Sequence, residues 1–269
     1  FNRHNLSLLC PFFCTLVSRI HLLFFRITIT YFSQIDHPRK MLCPFFSACD
    51  IIFQRNFTQG GILKMKVLMI NGSPHKEGNT YIALHEMEKV FGQEQIETEL
   101  IHVGNKDIRG CVACGVCHKK GACTFDDLVN ETAPKFEKSD GIVIGSPVYY
   151  ASANGTLISF LDRLFYSTGF DKSMKVGASV VSARRGGCTA TFDELNKYFT
   201  ISNMPIASSQ YWNQVHGNTP EEVKQDIEGC QIMRTLGRNM AFLVKSIALG
   251  KEKYGLPEKE PFTPTNFIR

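Results

Sequence analysis

A bilayer-spanning helix needs about 20 apolar residues with few charges, and no part of the chain supplies a clean one. The nearest attempt, Leu8–Phe25, is broken by Arg19 and His21, and no small-residue cleavage site marks it as a signal peptide. Charge of one sign is equally scarce where it would matter. Residues 1–64 hold seven Lys/Arg against two Asp/Glu, an excess of five that equals the formal +5 of the whole chain. Residues 65–269 are therefore balanced, so neither nucleic acid nor a membrane is expected as a partner. Internal repeats and low-complexity tracts are missing from this part as well.

The first 64 residues are unlike the rest. They contain ten of the 21 Phe, only two Gly, and Cys10, Cys14, Cys43 and Cys49, and they show no period of 2 or 3.6. At Met65 the texture changes to well-patterned globular sequence. Residues 1–64 are expected to be non-globular translated upstream sequence with Met65 as the natural start; a membrane-associated leader is the alternative. In 65–269 six cysteines remain, four of them too tightly spaced for a disulfide framework, which favours a reducing cytoplasm.

Strands and helices alternate from Met65 onward. Lys66–Asn71, Thr98–Val103, Asp140–Ser146, Lys175–Ser182 and Pro205–Ser209 read as strands, the first and third as buried apolar runs ending in Gly-Ser-Pro. Helices are expected from the Asn79-Thr80 cap to Gly92, over Asp126–Lys138 with an interruption at Pro134, and over Thr156–Tyr166 and Phe192–Phe199. A long one, Pro220–Gly250, is expected to bend near Gly237. This alternation predicts an α/β domain over 65–250, a flavodoxin-like doubly wound five-stranded parallel sheet with helices on both faces, followed by a tail over 251–269. Ligands of such sheets sit beyond the carboxyl ends of the strands.

Three loops fall at those ends. Gly72-Ser73-Pro74-His75-Lys76-Glu77-Gly78-Asn79-Thr80 has neither the Gly-Lys-Ser/Thr of a triphosphate loop nor a Gly-x-Gly-x-x-Gly turn. Its small residues, with Ser73, His75, Lys76, Gly78, Asn79 and Thr80, suit a single phosphate at a helix N-terminus, such as that of FMN. Pro147, Val148, Tyr149 and Tyr150 offer a flat wall for a flavin ring, and Ser182, Arg184, Gly186 and Gly187 offer donors to its pyrimidine edge. Ordinary turns, core tyrosines and surface arginines are the plain alternatives. His216 is read as a loop histidine with a structural hydrogen bond more readily than as a proton donor.

The densest signal is Cys111, Cys114, Cys117 and Cys123, with gaps of two, two and five residues. Compact four-cysteine spacing accepts a 4Fe–4S cluster. Structural zinc separates its Cys pairs more widely, Cys-x-x-Cys-His at Cys114–His118 is also the haem-attachment pattern, and a metal-free set of thiols remains open. Cys230, on the apolar face with Val223 and Ile227, reads as core.

Together these segments resemble the NADPH-dependent FMN reductase group of flavodoxin-like proteins, and within it the iron–sulfur flavoproteins, from Met65 to about Gly250. The matching residues are Gly72-Ser73-Pro74, Gly78-Asn79-Thr80, Ser146-Pro147-Val148-Tyr149-Tyr150, Asp162-Arg163, the cysteine spacing, Tyr211-Trp212-Asn213 and the Asp226–Gly229 stretch. The resemblance implies FMN binding, NAD(P)H-linked reduction, and a homodimer or homotetramer in which the cluster loop of one subunit approaches the flavin of another. A small-molecule electron acceptor or a redox protein such as ferredoxin is the expected partner. The alternatives are a cluster-free NAD(P)H-dependent FMN or quinone reductase, a non-enzymatic electron carrier, and a zinc-stabilised binding module.

Overall fold

The structure, a computed structural model, describes residues 64–267; what was expected of residues 1–63 lies outside the described residues. Strands β1 (Lys66–Asn71), β2 (Glu97–His102), β3 (Gly141–Tyr149), β5 (Val176–Ala183) and β6 (Gln214–His216) form one sheet in the order β2-β1-β3-β5-β6, with every neighbouring pair parallel. A two-residue strand, β4 (Ser152–Ala153), turns back antiparallel on the end of β3. Helices α1 (Asn79–Gln93), α2 (Cys117–Lys120), α3 (Leu128–Glu137), α4 (Gly155–Ser167), α5 (Cys188–Thr200), α6 (Pro220–Gln225) and α7 (Ile227–Tyr254) complete the described residues.

The apolar runs read as buried strands divide their side chains by strict alternation. Val67 and Met69 of β1, with Val143, Ala178 and Val180, pack against Ala83, Met87 and Phe91 of α1 and Met233, Leu236 and Met240 of α7. Leu68 and Ile70, with Ile142 and Ile144, face Val129 and Phe136 of α3, Leu157, Phe160 and Leu164 of α4, and Leu195 and Phe199 of α5. Each face of the sheet is thus sealed by its own helical layer, as a parallel sheet requires.

Four expectations are corrected. Pro205–Ser209 is not the fifth strand: it makes a single bridge between Ile206 and Gly177, and the sheet edge beyond it is taken by Gln214–His216, whose Val215 is fully buried. The Pro220–Gly250 helix breaks at Asp226 rather than at Gly237, and it runs on to Tyr254. The Asp226 carboxylate accepts from Gly229 N and also from His216 N, so it joins the start of α7 to β6 and leaves the helical path to do so. Gly237 instead permits close packing, since a Cβ there would lie 3.0 Å from Cβ of Val90 on α1. Pro134 sits inside α3 without interrupting it. The cap of α1 is Gly78 with no side-chain bond, and the Asn79 amide donates instead to Gly217 O at 2.8 Å.

Candidate functional site

The loops leaving β1, β3 and β5 meet at one rim of the sheet around a cleft of about 820 Å³, within the range of small-molecule sites. The first loop is held by Asn71, fully buried at the end of β1. Its Oδ1 accepts from Ser73 N and its Nδ2 donates to Lys76 O, both at 3.0 Å. His102 Nε2, at the end of β2, lies 2.7 Å from Ser73 O. Gly72 and Gly104 are needed for close approach: a Cβ on Gly72 would lie 2.5 Å from Leu157 Cδ2, and one on Gly104 would lie 2.2 Å from Ser73 O.

This bracing presents the first turn of α1 to the cleft with no side chain capping it. Unpaired N–H groups at a helix start attract an anion through both hydrogen bonds and the helix dipole. Thr80 Oγ1 and Ser182 Oγ, buried and 2.8 Å apart, tie that turn to the tip of β5. A bare helix start flanked by small hydroxyl residues is a donor set suited to a phosphate ester.

Opposite the phosphate end stands the β3–β4 hairpin. Tyr149 pairs with Ser152, and the two residues between them, Tyr150 and Ala151, have φ of 51° and 59°. Two successive positive φ values make the primed turn that usually takes Asn-Gly. Glu194 of α5 clamps it, accepting from Ser152 Oγ at 2.9 Å and from Ala153 N at 2.8 Å. The turn leaves Tyr149 on the cleft wall beside Pro147 and Val148 and throws Tyr150 fully into solvent.

Of the expected cofactor-binding residues, Ser73, His75, Lys76, Gly78, Asn79, Thr80, Pro147, Val148, Tyr149, Ser182 and Arg184 line the cleft together. Tyr150, Gly186 and Gly187 do not; Gly187, at φ 93°, backs onto Ala151 and Val148 instead. Sequence reading missed the rim formed by Gly217, Asn218, Thr219 and Pro220. Its signal was present: Thr219 before Pro220 caps α6 through Glu222 N, and a helix start at a strand end marks the rim of such sheets. Trp212, the one tryptophan of the chain, is half exposed on the loop entering β6, its ring 4.9 Å from that of Tyr211.

The cysteine loop packs elsewhere, against the far half of α4. Cys111, Cys114, Cys117 and Cys123 line one small pocket with Phe125, Arg163, Tyr166 and Ser167. Arg163 is 1% exposed. Its fork grips both Asp127 oxygens at 2.7 and 2.9 Å, and its Nε donates to Cys123 Sγ at 3.2 Å. Burial opposes its charge, but Asp127 and Cys123 more than compensate and hold its pKa above the ordinary value. No three His, Cys, Asp or Glu side chains among the described residues converge tightly enough to hold a single ion. Four thiols around one pocket nevertheless suit a cubane, whose cysteines each bind a different corner and so stand farther apart than ligands of one ion. Cys188 and Cys230 are buried, and burial raises both thiols above their usual pKa, so neither joins this chemistry.

The sheet order and the rim cleft define the flavodoxin-like class of α/β proteins. The chain belongs to the NADPH-dependent FMN reductase family, whose model matches residues 65–219, and thus to a family of FMN-binding oxidoreductases. It is 34% identical over 191 residues to an iron–sulfur flavoprotein of Methanocaldococcus jannaschii, covering 68% of this chain and 99% of that one. To an iron–sulfur flavoprotein of Methanosarcina thermophila it is 27% identical over 193 residues, covering 70% and 100%. Among solved structures, RosB with a bound riboflavin-5′-phosphate derivative superposes with a TM-score of 0.55 at 15% identity, over 76% of this chain and 94% of that one. An NAD(P)H:quinone oxidoreductase from Methanothermobacter marburgensis superposes at 0.52 and 12%, over 66% and 96%. Both share the fold. Among the described residues no helix is long and apolar enough to cross a membrane.

Proposed function

We propose that this oxidoreductase takes electrons from NAD(P)H at FMN and relays them to a 4Fe–4S cluster held by Cys111, Cys114, Cys117 and Cys123. From there they pass to a small-molecule acceptor or a redox protein such as a ferredoxin. The observation that carries the reading is the convergence of those four cysteines on a pocket of their own, in a chain whose curated relatives are named iron–sulfur flavoproteins.

FMN supplies the step between two-electron and one-electron chemistry. The chain's own residues do the rest. The start of α1, with Ser73 and Thr80, holds the phosphate. Tyr149 and Val148 wall the ring against water, and Arg184 places positive charge on the rim where negative charge grows on reduction. Arg163 and Ser167 lie eight and twelve residues beyond Gly155, about 12 and 18 Å along α4. The cysteine pocket shares no lining residue with the cleft. Cys111 and Cys114 are exposed, which favours a relay into the cleft of a second copy in a homodimer or homotetramer.

The test is anaerobic purification followed by iron, sulfide and flavin analysis with absorbance spectra. Flavin bands plus a broad shoulder bleached by dithionite are expected, and Cys114→Ala is expected to lose iron while keeping FMN. Iron content unchanged in that variant contradicts the ligand assignment. The exposure of two cysteines and the lack of tight convergence favour one second reading, a cluster-free NAD(P)H-dependent FMN or quinone reductase, which predicts bound flavin without iron. Bound flavin that neither NADH nor NADPH bleaches would point to a carrier.

A further inference from the structure

Ser167 ends α4 inside the cysteine pocket. Its side chain is 5% exposed, yet its Oγ has no hydrogen-bond partner. Leaving a buried hydroxyl unpaired is unfavourable, and helical serines escape that cost by bonding back to the fourth preceding carbonyl. The neighbouring Thr168 does so, with Oγ1 on Leu164 O at 2.7 Å; Ser167 does not. Four residues before it, on the same helix face, Arg163 already donates Nε–H to Cys123 Sγ. The Arg163 charge is largely balanced by Asp127 at 2.7 Å, so what it offers the sulfur is chiefly a directed N–H.

We infer that Arg163 and Ser167 form a pair of hydrogen-bond donors, one helical turn apart, that grip the sulfurs of the group bound by the four cysteines and set its reduction potential. The inference rests on the cluster reading above. A cluster that accepts one electron gains one negative charge, and donors to its sulfurs stabilise that form more than the oxidised one, raising the potential. Asp127 opposes them: its carboxylate cancels most of the guanidinium charge facing Cys123. The Ser167 hydroxyl finds its acceptor only when the pocket is filled, which accounts for its being buried without one.

The experiment uses the anaerobic, cluster-loaded full chain and a dye-mediated titration with dithionite, followed by electron paramagnetic resonance of the reduced cluster. Ser167→Ala is expected to keep its iron and to shift the oxidised-to-reduced equilibrium about tenfold toward oxidised, which is about 59 mV lower for one electron. Asp127→Asn retains a side chain competent to cap α3 and is expected to move the midpoint the opposite way. Shifts of opposite sign support the pair. An unmoved midpoint in Ser167→Ala at full iron content overturns it, as does a downward shift in Asp127→Asn. Wild-type protein without iron and sulfide defeats the cluster reading itself, a distinct result from either. Stability of the metal-free chain adds a separate readout. Losing an unpaired hydroxyl leaves the metal-free Ser167→Ala unchanged or slightly more stable, whereas a purely structural role for the serine destabilises it and leaves the midpoint alone.

Discussion

Single side chains at the rim act mostly through the backbone. Asn71, His102 and Gly104 touch no expected ligand position, yet between them they fix the path of Ser73. None was legible in the sequence, because two of them come from the end of β2, some thirty residues from the loop they brace. The phosphate-loop residues themselves were legible, since small and hydroxyl residues between an apolar strand and a helix start leave few other uses. Gly104→Ala drives a methyl into the Ser73 carbonyl, so it is expected to cost about 2–4 kcal/mol and to weaken FMN binding. Urea unfolding and flavin titration read the two effects. Ala151→Gly acts in reverse: it relieves a left-handed alanine and is expected to stabilise by up to about 1 kcal/mol in thermal unfolding. The ring loop was only half legible. Sequence adjacency suggested that Tyr149 and Tyr150 act together, whereas a primed turn points consecutive residues to opposite sides.

Between elements, long-range polar contacts decide what periodicity leaves undetermined. A helix pattern through Pro220–Gly250 gave no warning that Asp226 would be drawn aside to His216 N. Likewise, Pro205–Ser209 and Gln214–His216 share one edge of β5, the first through a single bridge at Gly177 and the second along Val181–Ala183. The strands at the centre were legible because each is an apolar run covered on both faces; edge pairing carries no such mark. Helices α1 and α7 are joined at their surface by Glu86, which bonds Lys89 and Arg234, each at 2.7 Å. Burial raises the Glu86 pKa, but the two cations overcome this and hold it below the usual 4.5. A depressed carboxylate stabilises the fold above its unfolded value and loses that contribution as pH falls through the folded one. Glu86→Gln is therefore expected to cost about 0.5–1 kcal/mol at neutral pH and to match the wild type in strong acid. Urea midpoints taken at descending pH check this; a gap that persists in acid excludes the ion pairs as its origin.

On the scale of the molecule, the cofactor cleft and the cysteine pocket share no lining residue, and the pocket alone sits against the C-terminal end of α4. A relay that crosses between copies depends on association, whereas one within a chain does not. Steady-state transfer from NADPH to an iron-linked acceptor, per mole of enzyme, is accordingly expected to fall on dilution through the dissociation range while bleaching of the flavin by NADPH persists. Loss of neither argues for transfer within one chain, and loss of both means that dilution disables the flavin site itself. Sequence spacing made the thiols conspicuous, but their distance from the cleft follows from tertiary packing alone: only the fold shows that Cys123 meets Arg163.

Trp212 gives the rim an optical use. It stands five residues before Gly217 of the cleft, so even a fully extended chain holds its Cα within about 17 Å of that wall. Ultraviolet emission from the chain's only indole overlaps the absorption of an isoalloxazine, and dimming of that glow on adding flavin would count occupied sites without any label.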